Sequence, residues 1–158
     1  MNLLRPTEHF LVDNNYPIES ENIQIDDLTR AVVVYTAQEA ANPITITSPF
    51  MFGDNLILKG VDLPQGTSFS YGDIVPISLR WEVTEPLGID YVVSVQIADI
   101  NTGIPIAQRD GIPQATFGPT SRWQPEQVYQ DRYGLRFPNE PTLYPPGQYR
   151  LQVIVYTY

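Results

Sequence analysis

From Val75 to Val83 the chain reads Val-Pro-Ile-Ser-Leu-Arg-Trp-Glu-Val, with every odd position apolar and Ser78, Arg80 and Glu82 among the even ones. A period of two sends the odd row to one face of a sheet and the even row to the other. The same pattern predicts strands over 44–48, where Ile and Thr alternate, and over 54–61, with Leu56 and Leu58 opposite Ile57 and Lys59. It also predicts one over 91–99, with Tyr91, Val93, Val95 and Ile97 on one face. Further strands are predicted over 31–36, 104–110, 127–137 and 148–158, where β-branched and aromatic residues predominate.

Turn residues punctuate these runs. Asp62 to Gly66, Tyr71-Gly72-Asp73, Glu85 to Gly88 and Tyr144-Pro145-Pro146-Gly147 each break the alternation. Asp99 to Gly103 reads as a hairpin turn, because Asn and Gly tolerate positive φ and Asp caps the loop. Pro105 marks the following strand as an edge strand or a short one. Seven to eight short strands at turn-bounded intervals predict an all-β fold, an antiparallel β-sandwich of jelly-roll or immunoglobulin-like type. Its core is expected to take Val75, Ile77, Leu79, Trp81 and Val83 together with Val93, Val95 and Ile97. Residues 1–30 are acidic and weakly periodic and read as a linker or irregular lead-in, with the sandwich over 31–158. Ile18, Ile23, Ile25 and Leu28 are available to dock that segment, and residues 1–15 are expected to move on the nanosecond timescale.

Composition narrows the classes. At 158 residues one domain is expected, and a chain of this size buries roughly 68–70% of its unfolded surface. The absence of cysteine rules out disulfides and thiolate metal sites. The net charge is −9, and the nine basic residues are scattered, so the clustered footprint that nucleic-acid binding requires is missing. No run of about 20 apolar residues and no apolar signal-peptide region occurs. The expectation is a cytoplasmic protein or a piece of a larger polypeptide, with no direct membrane insertion.

Catalytic chemistry finds little to work with. The one histidine, His9, lies in the lead-in, where triad geometry is hard to hold. One histidine without cysteine does not make a typical zinc site, and no metal or cofactor is expected. Asp99-x-Asn101-x-Gly103 faintly resembles a calcium loop but lacks the acidic ligands that should follow, so turn chemistry accounts for it. Asp131 stands out because it falls on the apolar row of Tyr129, Tyr133, Leu135 and Phe137. An inward carboxylate needs partners. Arg122 or Arg80 is the expected ion-pair partner, and a calcium or sugar contact is the functional alternative. Trp81 belongs to the core. Trp123, beside Arg122 at a loop-to-strand junction, reads either as a plug for one end of the sandwich or as a platform for sugar stacking. The candidate ligand-binding set is therefore Trp123, Arg122, Asp131 and Tyr129.

One ordered series of segments carries a resemblance. It runs through Phe52-Gly53-Asp54, Tyr71-Gly72-Asp73, Leu79-Arg80-Trp81, Asp90-Tyr91 and Asp110-Gly111-Ile112-Pro113. It continues through Pro119-Thr120-Ser121-Arg122-Trp123, Asp131 and Pro145-Pro146-Gly147-Gln148-Tyr149-Arg150-Leu151. Over about two-thirds of its length the chain resembles the β-sandwich domain appended C-terminally to bacterial multi-pass membrane glycosyltransferases of the mannosyltransferase type. Members more often carry Pro-Gly-Glu after the tryptophan. Here Trp123-Gln124-Pro125-Glu126 lacks that glycine, so the turn is expected to differ. The resemblance implies a non-catalytic, extracytoplasmic accessory domain, monomeric in isolation, whose partner is a glycan or the parent membrane protein. A purely structural spacer of a cell-surface protein and a small glycoside hydrolase are the alternatives.

Overall fold

The computed structural model describes residues 16–25, 28–36, 44–113 and 118–157. Ten strands follow one another along the chain: β1 (Tyr16–Ile25), β2 (Leu28–Thr36), β3 (Ile44–Ile46), β4 (Phe50–Phe52), β5 (Leu56–Leu63), β6 (Ile74–Val83), β7 (Val92–Asp99), β8 (Pro105–Gly111), β9 (Tyr129–Arg136) and β10 (Tyr149–Tyr156). No α-helix occurs among the described residues. β1 and β2 form a hairpin of their own, and β1 runs alongside β9. The strand expected over 31–36 is thus the second arm of a hairpin whose first arm lies in the stretch expected to be irregular. The expected motion of residues 1–15, and His9 with it, falls outside the described residues.

The other eight strands make two antiparallel sheets. The larger has the order β3-β5-β6-β9, with β4 also on β5, and the smaller has the order β10-β7-β8. β6 therefore lies beside β9 and β7 beside β10, in opposite sheets. This is the immunoglobulin-like arrangement, with β5, β6 and β9 as strands A, B and E and with β7 and β10 as C and F. The chain leaves β6 and re-enters at β7 in the facing sheet. Val75, Ile77, Leu79, Trp81 and Val83 meet Val93, Val95 and Ile97 across the core, and all eight are buried. The predicted inward row is correct, although the two strands pack face to face and do not pair.

Two departures from simple alternation have local causes. Every residue from Val92 to Ala98 is buried on both faces, because β7 is the middle strand of its sheet and is flanked by β8 and β10. Ser78 is buried on the outer face of the larger sheet, where it accepts a hydrogen bond from Gln130 Nε2 at 2.8 Å. Nearby, β5 shifts register between Leu58 and Gly60, which Gly60 permits. A Cβ at Gly60 would lie 2.5 Å from Arg80 Nη2 and 2.7 Å from the Ile46 carbonyl oxygen.

The turn after Trp123, which lacks glycine, places a side chain in the left-handed region. Glu126 takes φ = 65°, the one non-glycine residue in the left-handed region among the described residues. A side chain there costs roughly 1–2 kcal/mol in backbone strain, part of which glycine would return as unfolded-chain entropy. Glu126→Gly is accordingly expected to stabilise the domain by about 0.5–1 kcal/mol, read as a higher urea midpoint at unchanged m. A lower midpoint would mean that contacts of the glutamate outweigh the strain.

Candidate functional site

Of the four sequence candidates, Trp123, Arg122 and Tyr129 gather at one end of the sandwich, and Asp131 lies further along β9 on the inner face. Trp123 closes one end of the sandwich. A single 3₁₀ turn, Thr120–Arg122, delivers it, and the hydroxyl of Thr120 ties that turn to the β6–β7 connection. Thr120 Oγ1 donates to the Ile89 carbonyl and accepts from the Tyr91 amide, both at 2.8 Å. The Ser121 amide donates to Asp90 Oδ1 at 3.0 Å, and the hydrogen bonds from Ser121 hold the Asp90 carboxyl below its ordinary range. So anchored, Trp123 is 1% exposed and its indole N–H donates to the Gly118 carbonyl at 2.7 Å. Tyr129 stacks on it in parallel, with centroids 4.4 Å apart. The Tyr129 hydroxyl is held as well, accepting from the Gln124 amide and donating to Gln127 Oε1. The indole is the plug of the sandwich. It does not offer a stacking platform, because its face is covered by tyrosine and the rest by the core.

Asp131 is buried on the inner face, as its place in the row predicts. Its neighbours differ from those expected. In the register Asp131 stands opposite Leu79, on the inside, whereas Arg80 stands opposite Gln130, on the outside. The arginine instead approaches Asp62, with Nε 3.1 Å from Oδ2, close enough for an ion pair but not aligned for a hydrogen bond. Arg122 is exposed at the end of the sandwich, where it helps hold the Asp90 carboxyl low. The Tyr133 hydroxyl, two residues on along the same face, donates a short hydrogen bond to Asp131 Oδ2. Burial foremost, and then the Asp131 charge, push the Tyr133 hydroxyl well above its ordinary range, while Arg109 of β8 pulls the other way. The i, i+2 spacing of Asp131 and Tyr133 was the sequence signal for this pair. Nothing local announced Arg109, which comes from the facing sheet.

The calcium-like loop is a turn. Asp99 Oδ1 accepts from the amides of Thr102 and Asn101 at 2.8 and 3.0 Å and from the Thr102 hydroxyl at 3.0 Å, and the hydrogen bonds from Thr102 above all lower its pKa. No group of three or more potential metal ligands occurs among the described residues.

At the opposite end the two sheets part. A groove of about 850 Å³ opens there, lined by Leu63, Phe69, Tyr71, Phe137, Tyr149 and Leu151, with Gln148 and Arg150 at its rim. Three rings form a continuous row. Tyr71 lies 5.7 Å from Phe137, tilted, and Phe137 lies 5.1 Å from Tyr149, edge to face. The row is held from below. Gly72 adopts φ = 81°, its amide donates to the Phe137 carbonyl, and the Phe137 amide donates to the Asp73 carbonyl. It is also held from the side. Tyr149 Oη donates to the Pro145 carbonyl at 2.6 Å, the tyrosine-corner arrangement of immunoglobulin-like folds, and Tyr71 Oη donates to the Tyr144 carbonyl at 2.7 Å. Sequence reasoning read Tyr71-Gly72-Asp73 and Tyr144 to Gly147 as turns and placed Phe137 and Tyr149 at the ends of strands, and it had no means of seeing that these distant segments meet around one cavity.

Comparison of the chain with protein-family models, with curated proteins and with solved structures gives no match.

Proposed function

We propose that this domain is a non-catalytic accessory module that binds a glycan chain in the groove between its sheets, as an extracytoplasmic part of a membrane-bound glycosyltransferase. The observation that carries the binding reading is the aromatic row Tyr71–Phe137–Tyr149 along a largely apolar groove with polar groups at its rim. Sugar rings present C–H faces to aromatic side chains and hydroxyls to a polar rim, and most ligand sites share this apolar floor with few polar groups. Because the Tyr71 and Tyr149 hydroxyls are engaged by backbone carbonyls, the rings are fixed before any ligand arrives. Glycoside hydrolysis needs two facing carboxylates, and none lines this groove among the described residues. The association with a transferase rests on the sequence resemblance alone.

One shallow groove in one domain should bind with Kd between roughly 1 mM and tens of μM, about 4–6 kcal/mol. Titration of mannan and glucan oligosaccharides is expected to shift the amides of residues 67–71 and 146–151, and to leave those around Trp123 in place. No shift at the groove across the panel would leave the structural spacer as the better reading.

A further inference from the structure

We infer that the groove is shaped for an α-linked glycan, a chain whose consecutive sugar rings turn steeply, and not for a flat β-1,4-linked ribbon. The inference rests on the glycan reading and names the class of chain within it.

The observation that carries it is the mutual tilt of the three rings. Tyr71 and Phe137 lie with centroids 5.7 Å apart and planes inclined at 58°. Phe137 and Tyr149 lie 5.1 Å apart and at 81°. All three are half-buried, so each keeps some open surface in the groove. Spacings of this size match the separation of adjacent pyranose rings in a glycan chain, so neighbouring rings of the protein can meet neighbouring sugars. Their planes are far from a flat platform. The one parallel pair among the described residues, Trp123 and Tyr129 at 3°, is closed within the plug. Nor are the tilted planes free to adjust. Tyr71 Oη donates to the Tyr144 carbonyl and Tyr149 Oη to the Pro145 carbonyl. The Phe137 backbone is bonded on both sides, to the Gly72 amide and the Asp73 carbonyl. Flattening the row would break these bonds, so the ligand has to follow the tilt.

The geometry of the sugar chain then decides what fits. A sugar stacks by laying its C–H face parallel to an aromatic face. In a β-1,4 chain of glucose or mannose both linking bonds of each ring are equatorial, and consecutive ring planes stay nearly parallel. Such a ribbon can lie on one of the three rings and must then stand off the other two. In an α-linked chain the anomeric bond is axial, so the chain curves and each ring plane turns relative to the last. Two consecutive sugars can then lie on two consecutive rings at once. Their outward hydroxyls face the groove's exposed polar rim, where Ser68, Ser70 and Gln148 stand.

The test compares tetrasaccharides on the full chain, followed by the amide shifts of residues 67–71 and 146–151. The α-linked members are α-1,4-glucotetraose and α-1,2-mannotetraose, and the flat members are the β-1,4-linked tetramers of the same two sugars. Each α-linked chain should bind with a Kd about tenfold lower than its β-1,4 counterpart. Saturation transferred from the protein's aromatic protons should reach the C–H faces of two adjacent sugars in the α-linked chains and of one in the ribbons. Phe137→Leu keeps an apolar side chain and removes the middle face, so it should erase most of the α preference. If that variant folds poorly, the comparison on the parent chain decides alone. Ribbons that bind as tightly as the α-linked chains, or a preference that a folded Phe137→Leu leaves intact, overturn this inference while the glycan reading stands. Groove amides that respond to none of the four sugars remove the glycan reading, and this inference with it.

Discussion

Trp81→Ala is expected to destabilise the domain by about 3–5 kcal/mol. The side chain is wholly buried on β6, the second of four strands in from the β9 edge, and Phe52 packs against it with centroids 5.6 Å apart. Truncation removes an indole from the most enclosed row of the core, which leaves a cavity the flanking strands cannot close without losing their pairing. Trp81 also has a peculiarity that separates area from polarity. Its Nε1–H has no hydrogen-bond partner among the described residues, a buried donor that costs about 1–3 kcal/mol. Trp81→Phe gives up some area but removes that donor, so it is expected to cost well under half of the alanine change. Chemical denaturation of both variants decides the point. Equal losses for Phe and Ala would mean that the indole N–H is satisfied in solution.

Trp123→Ala should cost a similar amount, about 3–5 kcal/mol, for a different set of reasons. The residue has left the strand pattern, yet it is as buried as Trp81, it donates to the Gly118 carbonyl, and it supports the ring of Tyr129. Here Trp123→Phe keeps the stack but orphans the Gly118 carbonyl, so a penalty of about 1–2 kcal/mol is expected even for the conservative change. The pair of variants also bears on function. A surface platform would lose ligand on mutation to alanine and keep its stability. The plug seen here should lose stability, and Trp123→Phe should bind groove ligands as the parent does. Stability unchanged in Trp123→Ala would contradict the buried position.

The strands of the sandwich, short β4 apart, were legible because alternation is a nearest-neighbour property, whereas β1 was read as irregular. Between Ile74 and Val83 the chain states its own inward row, and the structure repeats it residue for residue. Turn chemistry was legible for the same reason. Asp99 folds onto the amides two and three residues ahead, so its environment is written within five positions. Even the inward placement of Asp131 could be read, from its parity with Tyr133 and Leu135.

What could not be read depends on separations of tens of residues. Arg80 and Asp131 were candidates for one ion pair until strand pairing set Arg80 opposite Gln130 and Leu79 opposite Asp131, on different faces. Trp123 had two readings, a plug, which the sequence favoured, or a platform. The bonds from Thr120 to residues 89 and 91, across a loop about thirty residues away, chose the plug. The groove is the plainest case, because Tyr71, Phe137 and Tyr149 become neighbours only once the turn before β6, the end of β9 and the start of β10 meet at one end. The sequence by itself determined an antiparallel β-sandwich, its inward rows and its turns, since periodicity and backbone preference act locally. Tertiary structure alone decided which strands face each other and where the cavity opens, since loop closure and sheet packing bring together residues whose order along the chain carries no mark of their meeting.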